Sequence, residues 1–241
     1  YEEISILWRE EARYRPNFEA SAGRVAVPNL FARVCGVKNR YVSGYFTSIS
    51  DLLGDDTLYI PRFPYLTNDR TIKLSGNQHI FWQGGKILPE AIKKHPGYPY
   101  DYLNGDTQDY MLDKIQQVID LDWVKDAAGV RAEILTTLLN LDQKLLHTIQ
   151  KFDFTKQIPK VVAVHADQNM PTLADGILFA FLNLAGFDIA VFTPTGYRDV
   201  DKFVNDDAYQ EHQIGEFLFD LPVPDLTEYN KGLLGRLFGR Q

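Results

Sequence analysis

Residues 160–196 read KVVAVHADQNMPTLADGILFAFLNLAGFDIAVFTPTG, and this stretch decides the fold class. Val161 to Val164 form a short β-branched run without polar alternation, as expected of a strand buried on both faces. Thr172 then opens a helix: it can cap exposed amides, Asp175 stands three residues on as in a capping box, and Pro171 precedes. Leu173, Ile177, Leu178, Phe181, Leu182, Leu184 and Ala185 give this helix a broad apolar face that suits packing flat against a sheet. Gly186 ends it in the left-handed conformation, with Phe187 folding back onto the last turn. Ile189 to Phe192 read as a second strand.

A strand, helix, strand unit of this length forms a parallel crossover, so both strands end on one edge of one sheet. The loop His165, Ala166, Asp167, Gln168, Asn169 and the loop Thr193, Pro194, Thr195, Gly196 then lie at strand carboxyl ends. Open α/β sheets bind ligands there.

Outward from this unit, Ile4, Leu7 and Trp8 are spaced for a helix that Pro16 stops, and Phe18 to Val27 read as a hairpin turning at Ser21, Ala22 and Gly23. Leu30 to Val37 are apolar and suit either a strand or a short helix. Short aromatic and β-branched runs from Val42 to Trp82 predict small strands and loops. Gly84, Gly85 and Lys86 lack the phosphate-loop spacing and read as a plain turn. Residues His95 to Tyr102 form an aromatic, proline-rich connector. A helix starts near Asp106 and Thr107, with Met111, Leu112, Ile115, Val118 and Ile119 as its buried stripe. From Gly129 to Phe152, apolar residues at three- and four-residue steps predict one long connecting helix of roughly 34 Å. Beyond Gly196, Val200, Phe203 and Val204 predict a short helix, and Phe217 to Phe219 a further strand.

The expected architecture is therefore α/β. A Rossmann-like three-layer unit with parallel strands spans 157–224, preceded by an α+β region over 1–104 and a helical connector over 105–156. A basic amphipathic tail follows over 225–241, where NKGLLGRLFGRQ suits partner docking or weak membrane-surface contact.

The chain has 241 residues, enough to bury a substantial core without metal or disulfide support, and its formal net charge of -7 argues against general binding to nucleic-acid backbones. Cys35 is the single cysteine, so an intrachain disulfide is impossible, and a reducing cytoplasmic setting fits. No segment approaches the roughly 18 to 20 consecutive apolar residues of a membrane span, and no signal peptide is recognised. The sequence starts at Tyr1, without methionine and already in helical pattern, as expected of part of a longer protein.

The ordered stretches RPNFEASAGRVAVPNLFARVCGV, HPGYPYDYL with DYMLDKIQQVID, and FLNLAGFDIAVFTPTGYRDVDKFV leading to FDLP resemble the bacterial YceG-like family found with tellurite-resistance and Ter stress-response genes. That group is distinct from the murein transglycosylase sharing the name. The resemblance covers most of the chain. It implies the C-terminal part of a longer protein acting in a biosynthetic module for stress resistance, with proteins of the Ter system as partners. It implies no catalytic residue.

The candidate ligand-binding residues are His165, Asp167, Gln168, Asn169, Thr193, Thr195, Gly196, Arg198 and His212. His165 and Asp167 could act as a base or an orienting pair, and equally as a strand terminus and a turn former. The Thr193 to Gly196 turn offers hydroxyls and amides suited to a phosphate or carboxylate, and also makes an ordinary turn. His212 with Glu211 and Asp220 lacks metal-ligand spacing, so no metal is assigned, and no cofactor can be named. Arg9, Arg13 and Arg15 beside Glu10 and Glu11 read as a solvated face or an anion-binding surface. GxSxG and GxGxxG are both missing, which removes the hydrolase and dinucleotide-dehydrogenase readings. The expected function is binding of a phosphorylated or nucleotide-type small molecule. The alternatives are a noncatalytic protein-interaction scaffold and a glycosyltransferase-like lobe transferring from a nucleotide-type substrate.

Overall fold

The computed structural model describes residues 2–21, 24–55, 57–66, 78–153 and 155–228. Its centre is a five-stranded sheet of β1 (Phe31–Cys35), β2 (Thr57–Ile60), β3 (Lys160–Val164), β4 (Asp188–Thr193) and β5 (Gln210–Gln213). The strands lie in the order β2-β3-β4-β1-β5, and every pairing is parallel. Segments from both ends of the chain thus share one sheet: β1 and β2, from the region expected to be a separate α+β part, flank the β3–β4 pair.

Both faces of the sheet are covered, which explains the near-continuous apolar strands. Ala32, Val34, Val162, Val164, Ala190 and Phe192 face α1 (Glu2–Arg9) and α2 (Val42–Ser50). Phe31, Val161, Ala163, Ile189 and Val191 face the opposite layer. That layer comprises α3 (Gly105–Asp120), α4 (Arg131–Leu138), α5 (Gln143–Lys151) and α6 (Leu173–Leu184).

Helix α6 forms as its sequence dictates. Thr172 and Asp175 make the reciprocal capping box. Asp175 also uses its other carboxylate oxygen to accept the amides of Tyr65 and Leu66 at 3.1 and 2.9 Å, tying the segment after β2 to the start of α6. The helix is buried almost all round, from Ala174 to Asn183, because α3 and α4 pack on the side away from the sheet. Gly186 closes it at φ 91°, and Phe187 is buried behind it.

Several expectations need correction, the first being the small strands and loops read from Val42 onward, where Val42–Ser50 form helix α2. The helix read from Gly129 to Phe152 is two helices, α4 and α5, separated at Leu139–Asp142. Asp142 caps α5 by accepting the amides of Lys144 and Leu145. The buried Tyr100 hydroxyl fills the break, donating to the Leu138 carbonyl at 2.9 Å and accepting from the Leu141 amide at 2.8 Å. Leu138, Leu139 and Leu141 are all buried, so the apolar pattern runs through the break unchanged.

The strand expected at Phe217–Phe219 is instead an extended segment held by the Leu218 amide on the Pro194 carbonyl; the late strand is β5. Arg15, grouped with a solvated cluster, is buried in a bidentate pair with Asp188, at 2.8 and 2.6 Å. Asp188 is fully buried and also accepts the Leu30 amide, so this pair ties the segment after α1 to the start of β4.

Of the region taken as a tail, Leu226 is buried on the α2 side, where its carbonyl accepts from the Ser50 hydroxyl at 2.9 Å. The segment NKGLLGRLFGRQ lies outside the described residues, as does the tip of the hairpin at 22–23.

Candidate functional site

At the carboxyl edge of the sheet the chain leaves β1 and β4 in opposite directions. The loop after β1 runs to α2 on one face, and the loop after β4 runs to the turn Val200–Lys202 against α6 on the other. Cys35 and Thr193 are register partners at this parting, the topological position at which open α/β sheets form ligand crevices.

A buried polar cluster occupies the α6 side of this edge. His165 extends β3 by one residue, its amide donating to the Phe192 carbonyl at 2.8 Å. Its ring is only 1% exposed and packs edge-on against Phe63. The imidazole Nδ1 lies 3.7 Å from Oδ2 of Asp199, which is fully buried. Neither ring nitrogen of His165 nor Oδ2 of Asp199 has a hydrogen-bond partner among the described residues. Buried polar atoms are normally satisfied, so three orphans side by side set this cluster apart.

Arg33, from the middle of β1, fixes Asp199. Its Nε donates to Asp199 Oδ1 at 2.8 Å, one terminal nitrogen donates to the Tyr197 carbonyl at 2.9 Å, and the other pairs with Glu211 on β5. Burial works against the Arg33 charge, but Asp199 beside it outweighs that cost and raises its proton affinity further above an already high value. Asp199 Oδ1 also accepts the Val200 amide at 2.6 Å, which leaves Oδ2 directed to His165.

The structure brings three of the sequence-derived residues together. Beside His165 at the strand ends, Thr193 and Thr195 are buried with their hydroxyls 3.4 Å apart. Two amides here are already engaged, Gly196 donating to the Thr193 carbonyl and Tyr197 to the Thr195 hydroxyl. Asp167 sits elsewhere in role: its carboxylate accepts the Asn169 amide and side chain, making an exposed turn with Gln168. Arg198 points to solvent, 82% exposed, with Asp201 at 3.9 Å.

His212 pairs in register with Val34, on the α2 face of the sheet, whereas Glu211 pairs with Arg33, so the two histidines lie on opposite faces. Burial lowers the proton affinity of His212. On that second face a cavity of about 650 Å³ opens at the same edge, lined by Lys38, Asn39, Tyr41, Tyr45 and Ile214 among others.

Sequence reasoning missed Arg33 and Asp199, and weighed Glu211 only beside His212 as a metal partner. A charged residue inside an otherwise apolar run, as Arg33 is within Leu30 to Val37, was the available signal. Cys35 is buried beside Arg33, and burial pushes its thiol up to about 11. It is therefore a neutral packing residue at physiological pH.

Fold and cluster together define a parallel α/β protein with helices on both faces and a buried Arg–Asp–His group at the carboxyl edge of its sheet. The chain belongs to the YceG domain family, whose sequence profile matches residues 1–223. It is similar to the "Uncharacterized protein YceG" of Bacillus subtilis (strain 168), with 27% identity over 241 residues, 95% of this chain and 44% of that relative. The chain thus spans less than half the length of that curated relative. No solved structure matches it. Among the described residues, no helix is long and apolar enough to cross a membrane.

Proposed function

We propose that this chain is a Rossmann-like ligand-binding unit that takes a phosphorylated or nucleotide-type small molecule at the carboxyl edge of its sheet. The observation that carries the reading is the set of orphaned polar atoms: His165 Nδ1 and Nε2 and Asp199 Oδ2, all buried at a topological switch point. A ligand hydroxyl can donate to Asp199 Oδ2 or accept from a His165 N–H, and a phosphoryl oxygen can accept from that N–H, satisfying atoms that otherwise cost stability for no return. Arg198, exposed at the same loop, supplies positive charge for an anionic group.

A cytoplasmic stress-response biosynthetic module is the setting proposed for this binding step, supported by the resemblance to proteins found with tellurite-resistance and Ter genes. Isothermal titration of the intact protein with nucleotides, sugar phosphates and nucleotide sugars tests the binding claim. Saturable heat with one of these classes, lost on His165→Ala, is the expected result. Absence of binding across the panel would reject it and favour the scaffold reading.

A further inference from the structure

Three aromatic side chains are exposed together beside the buried cluster: Tyr197 at 40%, Phe217 at 45% and Phe219 at 51%. Three large rings left in solvent within one loop pair forgo the stabilisation of burial, which a flat ligand laid on them would supply. We propose that Tyr197, Phe217 and Phe219 form a stacking platform for the planar ring of a nucleobase. This rests on the binding reading above and narrows it from phosphorylated compounds in general to nucleotides.

The platform is built rather than incidental. Tyr197 and Phe219 pack as neighbours, with ring centroids 5.4 Å apart at an interplanar angle of 49°. Phe217 rests on Gly196, which has φ 65°, and a Cβ at Gly196 would come within 2.5 Å of that ring. Only the absence of a side chain there lets the ring approach the loop so closely. The Leu218 amide is held by the Pro194 carbonyl, and the Leu218 side chain is buried among the α2-side residues. Alternation along this extended segment therefore turns Phe217 and Phe219 outward together.

The platform is also keyed to the polar cluster. The Tyr197 carbonyl accepts from Arg33, and its amide donates to the Thr195 hydroxyl. Two residues on, Asp199 faces His165. The loop after β4 and the segment packed on it thus carry an apolar surface for flat rings, an exposed guanidinium at Arg198, and a connection to the unsatisfied imidazole. A nucleotide presents the matching set: a π-face, an anionic group, and sugar hydroxyls between them. A base stacks on any aromatic surface regardless of its hydrogen-bonding edge, so the platform predicts nucleotide preference with weak discrimination among bases.

Titration of the intact protein with AMP, UMP and ribose 5-phosphate tests this. The wild type is expected to bind AMP and UMP more tightly than ribose 5-phosphate. Tyr197→Ala and Phe219→Ala should each weaken AMP by about ten-fold, in the range set by loss of one base–aromatic stack, and leave ribose 5-phosphate unchanged. Phe219→Trp should retain AMP affinity, and unchanged melting temperatures will show that the exposed substitutions leave the fold intact. Equal affinity for AMP and ribose 5-phosphate, or AMP binding indifferent to both alanine variants, overturns the platform and leaves the binding site standing. Failure of the wild type to bind any of the three probes overturns the platform, and the binding reading falls with it when nucleotide sugars also fail to bind.

Discussion

The imidazole Nδ1 of His165 and the carboxylate Oδ2 of Asp199 face each other at 3.7 Å in the interior, and neither atom has a hydrogen-bond partner among the described residues. The gap is longer than a hydrogen bond, so the fold brings two polar groups together without letting them satisfy one another. Asp199 is held in that position by Arg33 through its other oxygen.

The two sides of this relationship should respond differently to mutation. Asp199→Ala leaves Arg33 buried without its main counter-charge and is expected to cost about 3–5 kcal/mol. Asp199→Asn keeps the shape but not the charge and should be destabilising by less. Chemical denaturation monitored by far-UV circular dichroism measures both.

Tyr100→Phe removes the hydroxyl that bridges the break between α4 and α5, leaving the Leu138 carbonyl and Leu141 amide short of a partner in a buried place. A loss of about 1–3 kcal/mol is expected. Hydrogen exchange should accelerate first at Leu141, and an unaltered rate there would remove the bridging role.

Asp188→Ala breaks the buried bidentate pair with Arg15 and should cost about 3–5 kcal/mol, because the guanidinium is left uncompensated. Replacing both residues by apolar side chains of similar volume should recover most of that loss. A double-mutant cycle in urea reads the coupling directly.

Cys35 links stability to alkaline pH. Its thiol is raised from 9.0 to about 11, chiefly by burial. The folded chain therefore holds this proton where the unfolded chain releases it, and stability contributed by the neutral thiol is full below about pH 9 and lost as pH rises toward 11. Cys35→Ser should flatten this decline in an equilibrium unfolding series from pH 8 to 11. Alkylation of the native thiol at pH 8 should be slow and should accelerate on unfolding.

Much of the sheet's centre was legible in local sequence. The capping residues Thr172 and Asp175, the terminating Gly186 and the β-branched runs flanking α6 act within a few residues of one another, and short-range physics governs them. What escaped was set at long range. The break at Leu139–Asp142 depends on Tyr100, some 40 residues away in sequence, while the apolar spacing through it continues as in one helix. Strand β5, with the sequence Gln210, Glu211, His212, Gln213, is a polar edge strand whose existence depends on the exposed hydrogen-bonding groups of β1. Arg33 and Asp199 are separated by 166 positions, so their pairing left no local trace, whereas His165 and the two threonines could be placed from strand ends alone.

The proposal that His165 is kept for a ligand and not for the fold is put to the test by His165→Leu. The substitution removes two unsatisfied buried nitrogens and keeps an apolar contact with Phe63, so the denaturation midpoint should hold or rise. Binding of AMP, measured by calorimetry on the same preparation, should be lost. A folded His165→Leu variant that binds AMP as the wild type does, or one that is strongly destabilised, would contradict the account.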